Sequence, residues 1–166
     1  MRPKLILAVV AAALGVAAAA SAAALDVVHG TPGPDMLSGT ARADLIRSVG
    51  GDDVVRAHDG HDVVYGGSGA DTLYGGAGGD VLKGGAGDDV LWPGSGMDVQ
   101  YGGAGDDVLH ALADDNQRDI LDCGPGNDTA KAIVHDPVTF RGCERIVRLS
   151  PADAAALATS SGDDAS

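Results

Sequence analysis

The sequence has few aromatic residues and few basic residues. Among its 166 residues, Phe, Trp and Tyr make up 3 %, with one Phe and one Trp, which argues against an ordinary core built on large rings. Lys and Arg total 11 against 24 Asp and Glu, so the formal net charge is −13. Because this charge repels phosphate groups, binding to nucleic acid or to an anionic membrane surface is disfavoured, and a cationic partner is favoured.

Catalytic motifs are also missing. The chain has neither a His-Glu-x-x-His zinc-protease motif nor a Gly-Lys-[Ser/Thr] phosphate-binding motif. Ser68 and Ser95 lie in GGSGA and PGSGM, which lack the Gly-x-Ser-x-Gly pattern of hydrolases. His58 and His61 have no third His or Cys nearby in sequence, so we interpret them as turn residues and not as a zinc site. We predict that the protein is not an enzyme.

The N-terminal segment has the pattern of a secretory signal peptide. Arg2 and Lys4 precede the uncharged stretch Leu5–Leu25, rich in Ala, Val and Leu, which ends in small residues. We expect cleavage near Ala24, so that residues 1–24 are removed and the chain is secreted, without stable membrane insertion afterwards. A retained membrane anchor is the alternative, because this stretch is just long enough to span a bilayer. Cleavage would change the net charge to −15, since it removes two basic residues and no acidic one.

A nine-residue repeat occupies the middle of the chain. Nine consecutive units cover residues 30–110 without insertion or deletion; the next unit, 111–122, is three residues too long, and CGPGNDTAK at 123–131 restores the frame. The sixth position is Asp in every unit. These residues are Asp35, Asp44, Asp53, Asp62, Asp71, Asp80, Asp89, Asp98, Asp107, Asp119 and Asp128.

Two further positions of the repeat indicate how each unit folds. The eighth position is a large aliphatic residue except at Gln100 and Ala130, and the fourth is Gly except at Arg42 and Gln117. We therefore predict that each unit is a Gly-rich turn followed by about three residues of strand. Such units are too short to be stable alone and must stack.

The pattern G-G-x-G-x-D-x-U-x, in which U is a large aliphatic residue, resembles the RTX, or hemolysin-type, calcium-binding repeat of the serralysin-like β-roll family. Units 66–74, 75–83, 84–92 and 102–110 match it best. The resemblance implies an all-β fold, a right-handed parallel β-roll in which two units make one turn and alternate units stack. Asp35, Asp53, Asp71, Asp89 and Asp107 would then line one edge, and Asp44, Asp62, Asp80 and Asp98 the other.

Stacking of the Asp residues calls for a bound cation. Strands stack about 4.8 Å apart, where two carboxylates repel each other by about 3 to 4 kcal/mol at an effective dielectric constant near 20. The loops offer carboxylate and carbonyl oxygens, which suit Ca²⁺ better than Mg²⁺. A solvated acidic face is the alternative interpretation of the Asp columns.

The resemblance implies that each Ca²⁺ is shared by two loops of one edge, with up to seven ions between the nine regular units. The implied ligands are the position-six carboxylates and the backbone of the glycine turns. They are Asp53, Asp62, Asp71, Asp80, Asp89, Asp98, Asp107, Gly66, Gly67, Gly69, Gly75, Gly76, Gly78, Gly84, Gly85, Gly87, Gly102, Gly103 and Gly105, with Asp35, Asp44 and Asp128 as further candidates. The first four units lack the double-Gly opening, so they either bind weakly or cap the roll.

The segment after the repeats is predicted to close the roll. Cys123 and Cys143 are the only cysteines, and export favours a disulfide between them, with free thiols or an intermolecular link as alternatives. The bridge would pin a cap segment, 132–149, with one final strand over Val138–Leu149, onto the last repeat of the 25–131 region. Residues 150–166 are predicted to be a disordered tail.

These expectations combine into two hypotheses about function. The aliphatic core is thin, so we expect calcium binding to supply much of the folding free energy of a secreted structural or adhesive module. The alternative is an accessory carbohydrate-binding module of an extracellular polysaccharide-acting enzyme system. It would use the outward residues at position nine, namely Tyr65, Lys83 and Tyr101 on one sheet and Tyr74, Trp92 and His110 on the other.

Overall fold

The computed structural model describes residues 25–161, so the predicted signal peptide at 1–24 and residues 162–166 lie outside the described residues. Within this range, fourteen β-strands are followed by one α-helix. The elements are β1 Asp26–His29, β2 Met36–Ser38, β3 Asp44–Gly50, β4 Val54–Asp59, β5 Val63–Ser68, β6 Thr72–Ala77, β7 Val81–Ala86, β8 Val90–Ser95, β9 Val99–Ala104, β10 Val108–Ala111, β11 Asp119–Asp122, β12 Thr129–Ile133, β13 Val138–Arg141, β14 Arg145–Leu149 and α1 Pro151–Ser161.

The strands form two parallel sheets, because successive strands alternate between them. Odd-numbered strands β1 to β13 make one seven-stranded sheet and even-numbered strands β2 to β14 make the other. Within the regular units, paired residues are two repeats apart, as Val63 and Val81 are. The long unit 111–122 increases this offset, so that Val99 pairs with Ile120. The right-handed parallel β-roll that the sequence predicts is confirmed.

The strands are longer than the repeat pattern predicts. In the central turns they have six residues, and β5 runs from Val63 through Gly66 and Gly67 to Ser68. The expected three-residue strand is therefore too short, because the glycine pair continues the ladder: Gly67 pairs with Gly85, and Ser68 with Ala86. In the third to ninth units, the turn is confined to positions four to six.

The core is a narrow double row of aliphatic side chains from position eight. Alternation along a strand points positions six and eight to the same inward side. The buried position-eight residues are Leu37, Ile46, Val55, Val64, Leu73, Leu82, Leu91, Leu109, Leu121 and Ala130. Gln100 lies in the same row, fully buried, and its Nε2 donates a hydrogen bond to the His110 carbonyl at 2.6 Å.

The C-terminal cap contains two strands where the sequence predicts one. Val138–Leu149 divides into β13, which pairs with β11, and β14, which pairs with β12, so each sheet receives one closing strand. The chain reverses between them at Gly142, whose φ is +64°. The predicted disulfide is present: Cys123 and Cys143 are joined with their Cα atoms 5.1 Å apart.

The structure also corrects the expectation of a disordered tail, because Pro151–Ser161 forms α1. Ser150 caps this helix: its Oγ accepts a hydrogen bond from the Asp153 N–H and donates one to Asp153 Oδ2. Pro at the first helical position and a run of alanines favour the helix. Ala154 is buried where α1 contacts β12 and β14, so the helix covers one end of the roll.

Substitution of Leu82 by Ala should be among the most destabilising changes in the core. Leu82 is fully buried, and removal of a buried leucine side chain costs about 2 to 5 kcal/mol. The neighbouring Val81 is half-buried on the outer face, so Val81→Ala is the matched control and should cost clearly less. Denaturant unfolding in saturating calcium measures both free energies. Equal losses in the two variants would contradict a core built on position eight.

Candidate metal sites

The position-six aspartates lie in two columns, one along each edge of the roll. Each precedes or begins a strand, so the ladder that aligns the strands also aligns the carboxyl groups. Their side chains are at most 5 % exposed. One column contains Asp35, Asp53, Asp71, Asp89, Asp107 and Asp128, and the other contains Asp44, Asp62, Asp80, Asp98 and Asp119.

After the first aspartate of each column, one oxygen of each carboxylate is held by the backbone of the neighbouring turn. The Asp71 N–H donates to Asp89 Oδ1 at 2.8 Å, and the same bond joins every consecutive pair in both columns. At the C-terminal end of the first column, Glu144 takes the place of the next Asp: its Oε2 accepts from the Asp128 N–H at 2.8 Å. These bonds fix the orientation of the carboxyl groups.

The second carboxylate oxygen is different, because in most turns it is buried and has no hydrogen-bond partner. This holds for Oδ2 of Asp53, Asp62, Asp71, Asp80, Asp89, Asp98, Asp107 and Asp128. A buried charged oxygen without a partner is costly, by more than the 1 to 3 kcal/mol or so of a neutral group. A cation at this place would remove that cost.

The oxygens around the first glycine of each loop fit a hard cation. A methyl group placed on Gly66 would lie 2.6 Å from the Gly84 carbonyl oxygen and also against Asp71 Oδ2. Gly84 has the same surroundings, formed by Asp89 Oδ2 and the Gly102 carbonyl. A carboxylate from one loop and a carbonyl from the next thus converge on one point. A site that two loops form from oxygen atoms alone matches the ligand preference of Ca²⁺.

Position one of the other two double-Gly loops, at Gly75 and Gly102, repeats this arrangement with Asp80 and Asp107. Four of the aspartates that the sequence predicts as ligands therefore lie beside the predicted first glycines, namely Asp71, Asp80, Asp89 and Asp107. Among residues 25–161, no three His, Cys, Asp or Glu side chains gather into a metal cluster. Each loop contributes one carboxylate, and backbone carbonyls must supply the remaining ligands.

Glycine is favoured at positions two and four because these residues have positive φ and touch the preceding loop. Gly67 has φ +113° and Gly69 has φ +119°; a side chain at either would also strike the Val49 or the Gly51 carbonyl. The equivalent glycines with positive φ in the regular units are Gly51, Gly60, Gly76, Gly78, Gly85, Gly87, Gly94, Gly96, Gly103 and Gly105. Val49 and His58 adopt positive φ at position two without being glycine.

Burial perturbs the carboxyl groups of the columns strongly. It raises the pKa of Asp89 and Asp98 to about 7 and that of Asp71 and Asp80 to about 6, from an ordinary value of 3.8. Neighbouring aspartates in the column raise these pKa values further, while the backbone hydrogen bond to each carboxylate opposes the shift. Without a cation, the folded roll therefore favours protonation of these four carboxyl groups as the pH falls from neutral.

Sequence reasoning missed four polar residues that complete the columns. Thr31 and Thr40 contact the first aspartate of each column, and the signal was present, because both units open with Gly-Thr. Glu144 precedes an aliphatic strand as Asp does in the repeats. Asp115, in the long unit, accepts a hydrogen bond from the Gly96 N–H at 2.6 Å, and no sequence pattern predicts this contact.

The position-nine residues form two ladders on the outer faces of the sheets, as expected. On one sheet Tyr74, Trp92 and His110 stack in sequence, with the last two ring centroids 3.5 Å apart. On the other, Lys83 Nζ lies 5.2 Å from the Tyr65 ring centroid and 5.4 Å from that of Tyr101. The burial of His110 is a difference from the expected exposed position.

The repeats also match a known protein family. The family model of the RTX calcium-binding nonapeptide repeat (4 copies) matches residues 29–64, 65–100 and 94–130. The chain belongs to this family. The matched segments span all nine regular units. The β-roll of this chain is therefore a calcium-binding structural domain of the RTX type and not a catalytic fold. Comparisons with curated proteins and with solved structures gave no significant match.

Without calcium, folding should be favoured by acid. The folded pKa values of about 6 to 7 lie above the unfolded value of 3.8, so the folded RTX roll binds more protons than the unfolded chain. The free energy of unfolding should therefore be greatest below about pH 4 and fall as the pH rises to about 7. Circular dichroism in calcium-free buffer should show more strand at the acidic end. In saturating calcium the trend should reverse, because protons compete with the metal; strand content that rises with pH in calcium-free buffer would contradict the burial argument.

Proposed function

We propose that the protein is a secreted calcium-binding β-roll whose folding depends on calcium, and that it acts outside the cell as a structural or adhesive module. The observation that carries this proposal is the row of buried, unpartnered Oδ2 atoms beside the glycine turns. Family membership supports the choice of Ca²⁺.

Calcium dependence follows from the balance of forces in the roll. Every turn buries aliphatic side chains at position eight and carboxyl groups at position six, so apolar burial is opposed by desolvation of charge. A stacked pair of carboxylates adds repulsion of about 3 to 4 kcal/mol, against a total stability of about 5 to 15 kcal/mol for a typical domain. Because a cation binds the folded loops and not the unfolded chain, its binding free energy becomes folding free energy.

The proposed ions lie between consecutive loops of one edge. Asp71 with Asp89, and Asp89 with Asp107, hold ions on the first edge, and Asp80 with Asp98 holds one on the second. The assigned glycines supply carbonyl oxygens. Nine regular units would offer up to seven such spaces.

The proposed location rests on the signal-peptide pattern at residues 1–24 and on family membership, because calcium is at millimolar levels outside cells. Among residues 25–161, the structure has no helix that is both long and apolar enough to span a membrane.

A structural role accounts for the outer ladders better than sugar binding does. A carbohydrate ring binds to the open face of an aromatic side chain. Here Trp92 and His110 stack on each other with an interplanar angle of 8°, and Tyr74 stacks on Trp92. These ring faces support the sheet, so the carbohydrate-binding alternative has less surface to use.

A calcium titration tests the proposed function directly. In excess chelator at neutral pH, far-UV circular dichroism should show little strand, and the strand signal should rise cooperatively as calcium approaches millimolar concentrations. Isothermal titration calorimetry should show several ions per chain, and magnesium should not replace calcium at equal concentration. Full strand content in chelator, or the absence of heat on calcium addition, would refute the proposal.

Replacement of one buried carboxylate should shift the titration. Asp89→Asn keeps the size of the side chain and the Oδ1 acceptor but removes the charge of the unpartnered oxygen. We expect the calcium concentration at half-folding to rise roughly tenfold, which corresponds to about 1.4 kcal/mol. Asp88→Asn is the matched control, because Asp88 is exposed and accepts a hydrogen bond from the Asp106 N–H. Equal shifts in the two variants would mean that total charge, and not ligation, controls folding.

A further inference from the structure

The aspartate in the first unit of each column has different hydrogen-bond partners from the aspartates of the later units. The Thr31 N–H and hydroxyl both donate to Asp35 Oδ2, at 2.5 and 3.0 Å. On the other edge, the Thr40 N–H and hydroxyl donate to Asp44 Oδ2 at 2.6 and 3.2 Å. This is the same oxygen that is buried without a partner in eight later units. In the first turn, threonine already satisfies it.

The carbonyl side of these two loops is otherwise arranged like the later sites. A methyl group on Gly30 would lie 2.5 Å from the Ser48 carbonyl and 2.7 Å from Asp35 Oδ2, and one on Gly39 would meet the Ala57 carbonyl and Asp44 Oδ2. The same oxygens therefore converge, but two donor hydrogens point at the carboxylate. A cation there would have to displace both hydrogen bonds.

The backbone conformation at position two distinguishes the loops of the first two units from those of the later units. Every regular unit from the third onward has positive φ at position two, including Val49 at +86° and His58 at +78°. Thr31 and Thr40 do not share it. In the third unit, the Ser48 hydroxyl donates to the Gly66 carbonyl at 2.6 Å, and Asp53 Oδ2 stays without a partner. The change in loop type thus falls between the second and third units.

We propose that the first turn of the roll binds no calcium, because the Thr31 and Thr40 donors take the place of the ion at Asp35 and Asp44. This rests on the proposed function, since it concerns the same row of sites. Of the seven spaces between the nine regular units, the two that begin with Asp35 and Asp44 are closed by threonine. The roll then has one end that is closed without metal.

The test is to convert both loops to the double-Gly form. In Thr31→Gly/Thr40→Gly the hydroxyl donors are lost and positive φ becomes accessible, so calorimetry should count two more calcium ions per chain than in the wild type. Thr31→Val/Thr40→Val is the matched control, because valine keeps the shape of threonine but lacks the hydroxyl and disfavours positive φ; no ion should be gained. An unchanged count in the glycine variant, with normal calcium binding by the wild type, would overturn the inference and leave the proposed function intact.

A second pair of variants covers the case in which the glycine variant fails to fold. Asp35→Asn/Asp44→Asn should leave the number of bound calcium ions unchanged, whereas Asp71→Asn/Asp80→Asn should lower it. Loss of two ions on Asp35→Asn/Asp44→Asn would show that the first turn does bind calcium and would overturn the inference. If the wild type binds no calcium at all, the proposed function itself fails, and the inference fails with it.

Discussion

The structure depends on the burial of one carboxylate per repeat in a continuous column. After the first of each column, each aspartate is fixed through Oδ1 by the N–H of the preceding turn, and this bond places its second oxygen near the backbone carbonyls of the next loop. In an ordinary domain such a column would prevent folding, since neither solvent nor a basic side chain neutralises it. Here the same geometry makes a series of oxygen-lined spaces. The cost of burying charge and the capacity to bind a divalent cation are one property of the fold.

The remaining features follow from that constraint. Positions six and eight lie on the same side of a strand, so the interior must be shared between carboxylates and aliphatic side chains. This limits the core to a double row of medium-sized residues and explains why aromatic residues are scarce and mostly lie on the outside; Phe140, in the cap, packs against the core. The loops must approach each other closely enough for carbonyl and carboxylate oxygens to meet, which favours glycine at positions two and four, as at Gly67 and Gly69.

Much of the fold was predictable because the period of nine determines the register, and the register determines which residues stack. The two Asp columns and the aliphatic rows follow from this alone, and the disulfide follows from the presence of only two cysteines in a chain that the sequence predicts to be exported. The strand length was not predictable, because glycine normally marks a turn and here extends the ladder.

Helix α1 was missed although Ser150 and Asp153 form a recognisable cap. The role of Glu144 depends on the chain reversal at Gly142, which no periodic pattern contains. Thr31 and Thr40 were visible as departures from the repeat, but only the hydrogen bonds reveal what they do.

The stacking of each turn only on its neighbours has a consequence for how sharply the protein responds to its surroundings. In such a quasi-one-dimensional array, stability is approximately a sum of contributions from individual turns and from the contacts between them. Each bound ion adds a contribution that grows with the logarithm of calcium concentration, so these contributions accumulate along the roll. A longer array therefore changes from unfolded to folded over a narrower range of concentration than a shorter one. The number of repeats therefore determines how steep the folding response is, whereas the ligands of each loop determine the calcium concentration at which folding occurs.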